Sequence, residues 1–294
     1  VSPGCLTQCS GGAHATSYDG GVSHTPGREP TEPPADPTPL DRWVELDGVV
    51  NMRDAGGLPT RDGRMIQPGR LLRSDNLQDL SESDVRRLVD ELGVSDIVDL
   101  RSDTEVSTEG PGPLWEVESL KHHHHSLFGD GRKVTAEQAL AMPEHSTRPV
   151  RDAQFWSDHY LGYLSTRPDS VSAALDVVSR STGATVIHCA AGKDRTGTVT
   201  ALALDVAGVP REAIIEDYAL TGERLERIIA RLMPRDLYGK ALSQQSVEDQ
   251  LPRPETMATI LDTLESEFGG GEGWLRAQGW TDEDIARLRD RLTT

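Results

Sequence analysis

The chain has 294 residues, and its 48 acidic side chains outnumber the 30 basic ones for a formal net charge of −18. That length can bury a sizeable core, and the acidic surplus argues against nucleic-acid binding, which needs a basic face. A phosphorylated substrate stays compatible with it, because one anion needs only a small local positive pocket.

Residues 1 to about 40 are rich in Gly, Ser, Thr and Pro and nearly empty of large apolar side chains. Such a segment cannot bury enough surface to offset its ordering entropy, so residues 1–40 are expected to be a disordered tail. From 41 to 294 the composition is globular without a second linker, and one domain is expected. Trp43–Leu46 and Val49–Met52 flank Asp47-Gly48 and read as short strands about a turn. Asp62-Gly63 marks a second turn between Gly57-Leu58 and Met65-Ile66, with a strand at Leu71–Arg73 beyond it.

Ser81 and Asp84 form a capping box before the stripe Val85, Leu88, Val89 and Leu92, which Gly93 ends. Ile97–Leu100 reads as a buried strand, and another is expected between Val117 and His124. Helical patterns cover 151–165 and 169–180, then Thr185–His188 is a strand and Thr198–Ala207 an apolar helix. Further helices are expected near 210–220, 222–232, 255–267 and 281–292. Strands interleaved with helices make this an α/β fold with helices on both faces of the sheet.

Three cysteines are present, Cys5, Cys9 and Cys189, and only the last lies in the globular part. This is no disulfide scaffold and fits a reducing compartment, with Cys5 and Cys9 read as exposed thiols without a role and a local disulfide between them as the alternative. No apolar run reaches a membrane span and no charged-then-apolar leader follows Val1. The reading is therefore a cytoplasmic protein without stable membrane insertion; secretion stays an alternative.

The chemistry concentrates in His188-Cys189-Ala190-Ala191-Gly192-Lys193-Asp194-Arg195-Thr196-Gly197. A strand delivers Cys189 to the carboxyl edge of the sheet, where open α/β folds form their ligand crevices. Six residues later Arg195 enters a helix, so the backbone between them curls about a point on which its amides and the helix N-terminus converge. Gly192 permits a conformation that a Cβ disfavours, and Arg195 can grip two phosphoryl oxygens at once. The same field favours a thiolate over a thiol, aimed at phosphorus.

This loop resembles the Cys-x5-Arg-Thr/Ser signature of the protein tyrosine phosphatase superfamily. It is most similar to the bacterial tyrosine phosphatases with atypical, lipid-phosphatase-like loops. Asn51–Gly57, Pro68–Ser74, Asp99–Ser102, Phe268–Leu275 and Gly279–Thr281 carry the likeness over residues 43 to 292; the tail and 126–150 lie outside it. The resemblance implies a cysteine-phosphatase fold: a central, mostly parallel sheet flanked by helices, with a helical lid and C-terminal helices. It implies a phosphomonoester hydrolase acting on phosphotyrosine, with phosphoserine/threonine or phosphoinositides as further substrates.

Carried over residue by residue, the nucleophile is Cys189, the phosphate-gripping residue Arg195, and the hydroxyl that assists breakdown of the intermediate Thr196. His188 orders the loop, and Ala190, Ala191, Gly192 and Lys193 complete the substrate cradle. The general acid has two sources. Asp152 and Asp158 precede the cysteine at the distance of a mobile acid loop but fall in a helical pattern that reads as a solvated face. Asp194, inside the loop, is favoured. Lys193 adds charge near the phosphate.

Arg53, Asp54, Arg73, Ser74, Asp75 and Arg101 sit at strand ends, suited equally to ion pairs or substrate contacts. His122–His125 resembles a metal tract, but alternate strand residues face opposite sides and no Cys or Glu cluster stands beside them; neither a metal nor a cofactor is expected. Trp156, Tyr160 and Leu164 form a helix stripe belonging either to the core or to a lid over the site. Two other readings are a rhodanese-like sulfurtransferase, against which the Arg195-Thr196-Gly197 spacing speaks, and a non-catalytic phosphate-binding module, which would usually lack the Cys or the Arg.

Overall fold

A computed structural model describes residues 42–128 and 151–293. The expected tail at 1–40 lies outside the described residues, as does the stretch 129–150. Five strands make one mixed sheet: β1 (Arg53–Asp54), β2 (Leu71–Ser74), β3 (Val94–Asp99), β4 (Lys121–His124) and β5 (Ala184–His188), in the spatial order β1-β2-β5-β3-β4. Only β1 runs antiparallel to its neighbour; the other three pairings are parallel.

Period-two alternation explains why these short apolar segments are strands between two helical layers. Leu71, Val98 and Ile187 face one side, while Leu72, Ile97 and Val186 face the other. The larger layer holds α3 (Ala153–Thr166), α4 (Pro168–Arg180), α5 (Asp194–Val206), α6 (Arg211–Ala219), α9 (Pro254–Phe268), α10 (Gly271–Ala277) and α11 (Asp282–Leu292). On the opposite side Leu88 of the turn after α1 (Glu82–Arg86) joins Val94, Ile97 and Val186. Each such fully buried Leu, Ile or Val contributes about 1.5–3 kcal/mol over exposure.

α2 (Asp103–Glu109), α7 (Leu225–Leu232) and α8 (Asp236–Leu242) complete the set. Ile228 and Leu232 of α7 and Tyr238, Ala241 and Leu242 of α8 pack on Ala190. That places a helical layer beside the loop.

The expected strands at 43–46 and 49–52 do not form; Trp43 makes only an isolated bridge to Arg53. The Asp75 carboxylate takes amides that a ladder at 49–52 would use, accepting from Val50 at 3.2 Å and Asn51 at 3.1 Å, while Asp84 ties down the turn by accepting from Asp47 and Gly48 at 3.0 and 2.8 Å. Likewise Gly57–Leu58 and Met65–Ile66 are joined by isolated pairings about the Asp62-Gly63 turn rather than by a ladder. The fourth strand begins at Lys121, because Pro113–Glu116 is a 3₁₀ turn and Leu120 N–H still bonds back to Val117.

The capping box at Ser81 and Asp84 is present. The helix expected from Thr198 starts four residues earlier, at Asp194, so the end of the phosphate loop is already its first turn.

The register decides where a site can be. Ser74, His188 and Asp99 lie abreast across β2, β5 and β3. The chain therefore leaves the sheet at one common edge after each of them, at Asp75, Cys189 and Leu100.

Candidate active site

Cys189 follows the last residue of β5 and is a free, buried cysteine. Three successive carbonyls of the loop behind it are tied to the body of the protein. Ala190 O accepts from Asn76 N–H at 3.0 Å, Ala191 O from Asn51 Nδ2 at 2.9 Å, and Gly192 O from Arg73 Nη2 at 2.9 Å. In a trans peptide the C=O and the following N–H point opposite ways. Anchoring those oxygens therefore turns the amides of Ala191, Gly192 and Lys193 away from the anchors, toward the other edge of the loop. Gly192 has φ +67°, and a Cβ there would come within 2.5 Å of Ser74 O. Glycine is required on both counts.

Arg195, in the first turn of α5, is held by Glu105 of α2 through both nitrogens: Nη1 to Oε2 at 2.6 Å and Nη2 to Oε1 at 3.0 Å. Glu105 also accepts from Tyr238 Oη at 3.0 Å and caps α2 through Ser102 N–H at 2.7 Å. Burial pushes the Glu105 carboxyl up, and the Arg195 guanidinium outweighs it, leaving the group below its usual range. The Phe128 ring lies over the guanidinium, with 5.1 Å from Cζ to the ring centroid. Arg195 is thus oriented before any ligand arrives, which lowers the ordering cost of gripping a phosphoryl group.

His188 is buried, which lowers its pKa to about 4, so its imidazole is neutral at neutral pH. Its Nε2 lies 3.7 Å from Asp99 Oδ2, and Asp99 is itself held by Arg101 at 2.6 Å. Thr196 is fully buried beside Arg195.

Asp194 Oδ1 accepts a hydrogen bond from Tyr160 Oη and lies 3.4 Å from the Lys193 ammonium. Tyr160 Oη in turn meets Tyr218 Oη at 3.0 Å. Lys193 Nζ donates to Gln250 O at 2.8 Å and to Gln250 Oε1 at 3.1 Å, and sits 4.5 Å from the centroid of the Trp156 ring. Burial lowers its pKa, against the pull of Asp194. The stripe Trp156–Tyr160–Leu164 is therefore buried core, and its first two members meet the phosphate loop.

The alternative acids stand apart from this cluster. Asp152 caps α3 through Phe155 N–H at 2.9 Å, and Asp158 is exposed and accepts from Gln154. The strand-end arginines are ion-paired. Asp217 of α6 binds Arg42 at 2.8 Å, Arg53 at 3.2 Å and Arg73 at 2.7 Å, and the three guanidinium groups hold its carboxyl far below the usual range against burial. Arg73 spans from Asp217 to Gly192 O, so this buried cluster supports the cradle from behind. Asp54 accepts from Gly56 and Gly69 amides, and Asp75 binds Arg231. In the histidine tract, His122, His123 and His124 bond Leu114 O, Asp96 and Arg101 O respectively. Among the described residues no three His, Cys, Asp or Glu side chains are grouped to hold a metal.

Glu105, Asp217, Tyr160 and Tyr218 are the site residues that sequence reasoning did not single out for these roles. Ser102-x-x-Glu105 is a legible capping box, but nothing local says that its carboxylate reaches Arg195.

A loop anchored by its carbonyls, a pre-held arginine and a buried thiol at the carboxyl edge of a mostly parallel sheet fit one chemistry together, and they place the protein among hydrolases that take phosphate from esters through a cysteine. The chain belongs to the tyrosine phosphatase family, whose model matches residues 44–294. It is 29% identical over 280 residues to the triple specificity protein phosphatase PtpB of Mycobacterium tuberculosis, covering 84% of this chain and 98% of that one. It is 27% identical over 238 residues to a tyrosine-protein phosphatase of Nostoc commune, covering 77% and 75%. A putative tyrosine-protein phosphatase of Cupriavidus necator is 27% identical over 251 residues, covering 84% and 86%. Among solved structures, P. aeruginosa TpbA aligns at a TM-score of 0.28 and 14% identity over 66% of this chain and 89% of that one. Among the described residues no helix is long and apolar enough to cross a membrane.

Proposed function

We propose that Cys189 attacks the phosphorus of an aryl phosphate, phosphotyrosine first, while Arg195 and the amides of Ala191, Gly192 and Lys193 hold the phosphoryl oxygens. The P–O bond to the leaving group breaks as the S–P bond forms, and Asp194 gives its proton to the departing oxygen. Water, relieved of a proton by the Asp194 carboxylate, then cleaves the S–P bond and releases inorganic phosphate. Thr196 assists this second step and His188 keeps the loop ordered.

The single observation that carries the reading is the anchoring of the Ala190, Ala191 and Gly192 carbonyls, which leaves the amides on the opposite edge of the loop for an anion. A relative named a triple specificity protein phosphatase supports a substrate range wider than phosphotyrosine, and phosphoserine/threonine and phosphoinositides are the further classes that belong to this reading. On an inositol ring a second phosphate would compete with Gln250 for the Lys193 ammonium. A cytoplasmic location belongs to the same reading, because a nucleophilic thiol is kept reduced there.

Phosphate release from p-nitrophenyl phosphate by wild type and by Cys189→Ser tests the reading. Loss in the variant, with its fold intact, is expected; equal release by both would refute it.

A further inference from the structure

Resting on Asp194 as the acid, we propose that Tyr160, backed by Tyr218, is a positioning residue that fixes which oxygen of Asp194 carries the transferable proton. Both ring hydroxyls are buried, whereas the Asp194 side chain keeps 18% of its surface exposed. Asp194 Oδ1 faces two donors, the Tyr160 hydroxyl and the Lys193 ammonium. An oxygen that already accepts the Tyr160 hydroxyl hydrogen and faces the Lys193 ammonium is the poorer place for a proton of its own. The acid proton therefore resides on Oδ2, the oxygen left for the leaving group.

The hydrogen count fixes the rest. Tyr160 has one hydroxyl hydrogen, and it is used on Asp194. The contact at 3.0 Å to Tyr218 must then run the other way, with Tyr218 donating to the Tyr160 oxygen. Burial and the nearby Asp194 raise the Tyr160 pKa well above its ordinary value, so it stays a donor. When Oδ2 gives up its proton, the charge left on the carboxylate meets donors already in place, and no solvent needs to reorganise.

The support comes from one helix. Adjacent residues of α6 serve the two halves of the loop: Asp217 through Arg73 to Gly192 O, and Tyr218 through Tyr160 to Asp194. Gly197 makes room for the second arm, since a Cβ there would lie 3.0 Å from the Tyr218 ring.

The test measures kcat on p-nitrophenyl phosphate, an activated leaving group, and on phenyl phosphate, a poor one. Tyr160→Phe, Tyr218→Phe and Asp194→Ala are compared, with Tyr160→Phe also placed in the Asp194→Ala background. Thermal melting checks that each variant folds, and phenylalanine keeps both rings. Tyr160→Phe is expected to slow phenyl phosphate turnover roughly tenfold, the loss of about 1.4 kcal/mol, and p-nitrophenyl phosphate turnover by less than twofold. Tyr218→Phe should act in the same sense but more weakly, and Tyr160→Phe should add nothing once Asp194 is gone. If Asp194→Ala depends on the leaving group but Tyr160→Phe does not, or if Tyr160→Phe costs as much without Asp194, the tyrosine proposal alone falls. If Asp194→Ala shows no leaving-group dependence, the acid assignment fails and this proposal with it.

Discussion

Glu105 grips Arg195 with both carboxylate oxygens, at 2.6 and 3.0 Å, and both side chains are buried. The pair joins α2 to the first turn of α5, so the arginine is aimed by a residue 90 positions away. Removing one partner of such a pair leaves an uncompensated buried charge, which costs about 3–5 kcal/mol. Glu105→Ala should therefore lower the denaturant midpoint and raise KM for p-nitrophenyl phosphate at least tenfold. An unchanged KM would mean that Arg195 finds its aim without Glu105.

Gly192→Ala probes the cradle itself. The left-handed φ costs an alanine about 1–2 kcal/mol, and its Cβ would also meet Ser74 O. The loop must shift to relieve that, moving the amides off the phosphate. Vanadate or inorganic phosphate, as competitive inhibitors, should lose affinity by roughly tenfold or more in calorimetry, the equivalent of at least ~1.4 kcal/mol. Retained affinity would show that the anion does not sit on these amides.

Asp217→Asn tests the support behind the cradle. It removes the countercharge of three arginines, two of them almost wholly buried. A fall in stability of about 3–5 kcal/mol by chemical denaturation is expected. A change under ~1 kcal/mol would mean that the arginines find other partners.

Acid should destabilise the fold through two histidines. Burial lowers His188 of β5 and His159 of α3 from the ordinary 6.5 to about 4. Between those values the unfolded chain holds more protons than the folded one, so the contribution is fully present above pH 6.5 and is lost as pH falls toward 4. Each imidazole adds up to one proton to that difference. The slope of unfolding free energy against pH between 6.5 and 4 should be shallower in His159→Gln, by up to one proton; an identical slope would contradict the assignment.

The phosphate loop is legible in the sequence because its parts are contiguous: strand, Cys189, turn residues, Arg195 and helix follow one another within a dozen positions. Its supports are not, since Glu105, Tyr160 and Tyr218 arrive from three segments that only tertiary packing brings together. Helical periodicity marked Tyr160 as apolar-face, yet it cannot say that the hydroxyl at the end of the ring meets Asp194. The strands expected at 43–52 failed for a related reason. Their propensity was sound, but the Asp75 carboxylate from elsewhere claimed the Val50 and Asn51 amides.

Whether phosphate passes through Cys189 is most directly measured by quenching a phosphotyrosine-peptide reaction in acid during its first turnover and mapping the phosphoryl group by mass spectrometry. A transient adduct on the Cys189 thiol is expected, absent from Cys189→Ser. Turnover without any adduct on Cys189, or with one on another residue, would contradict it.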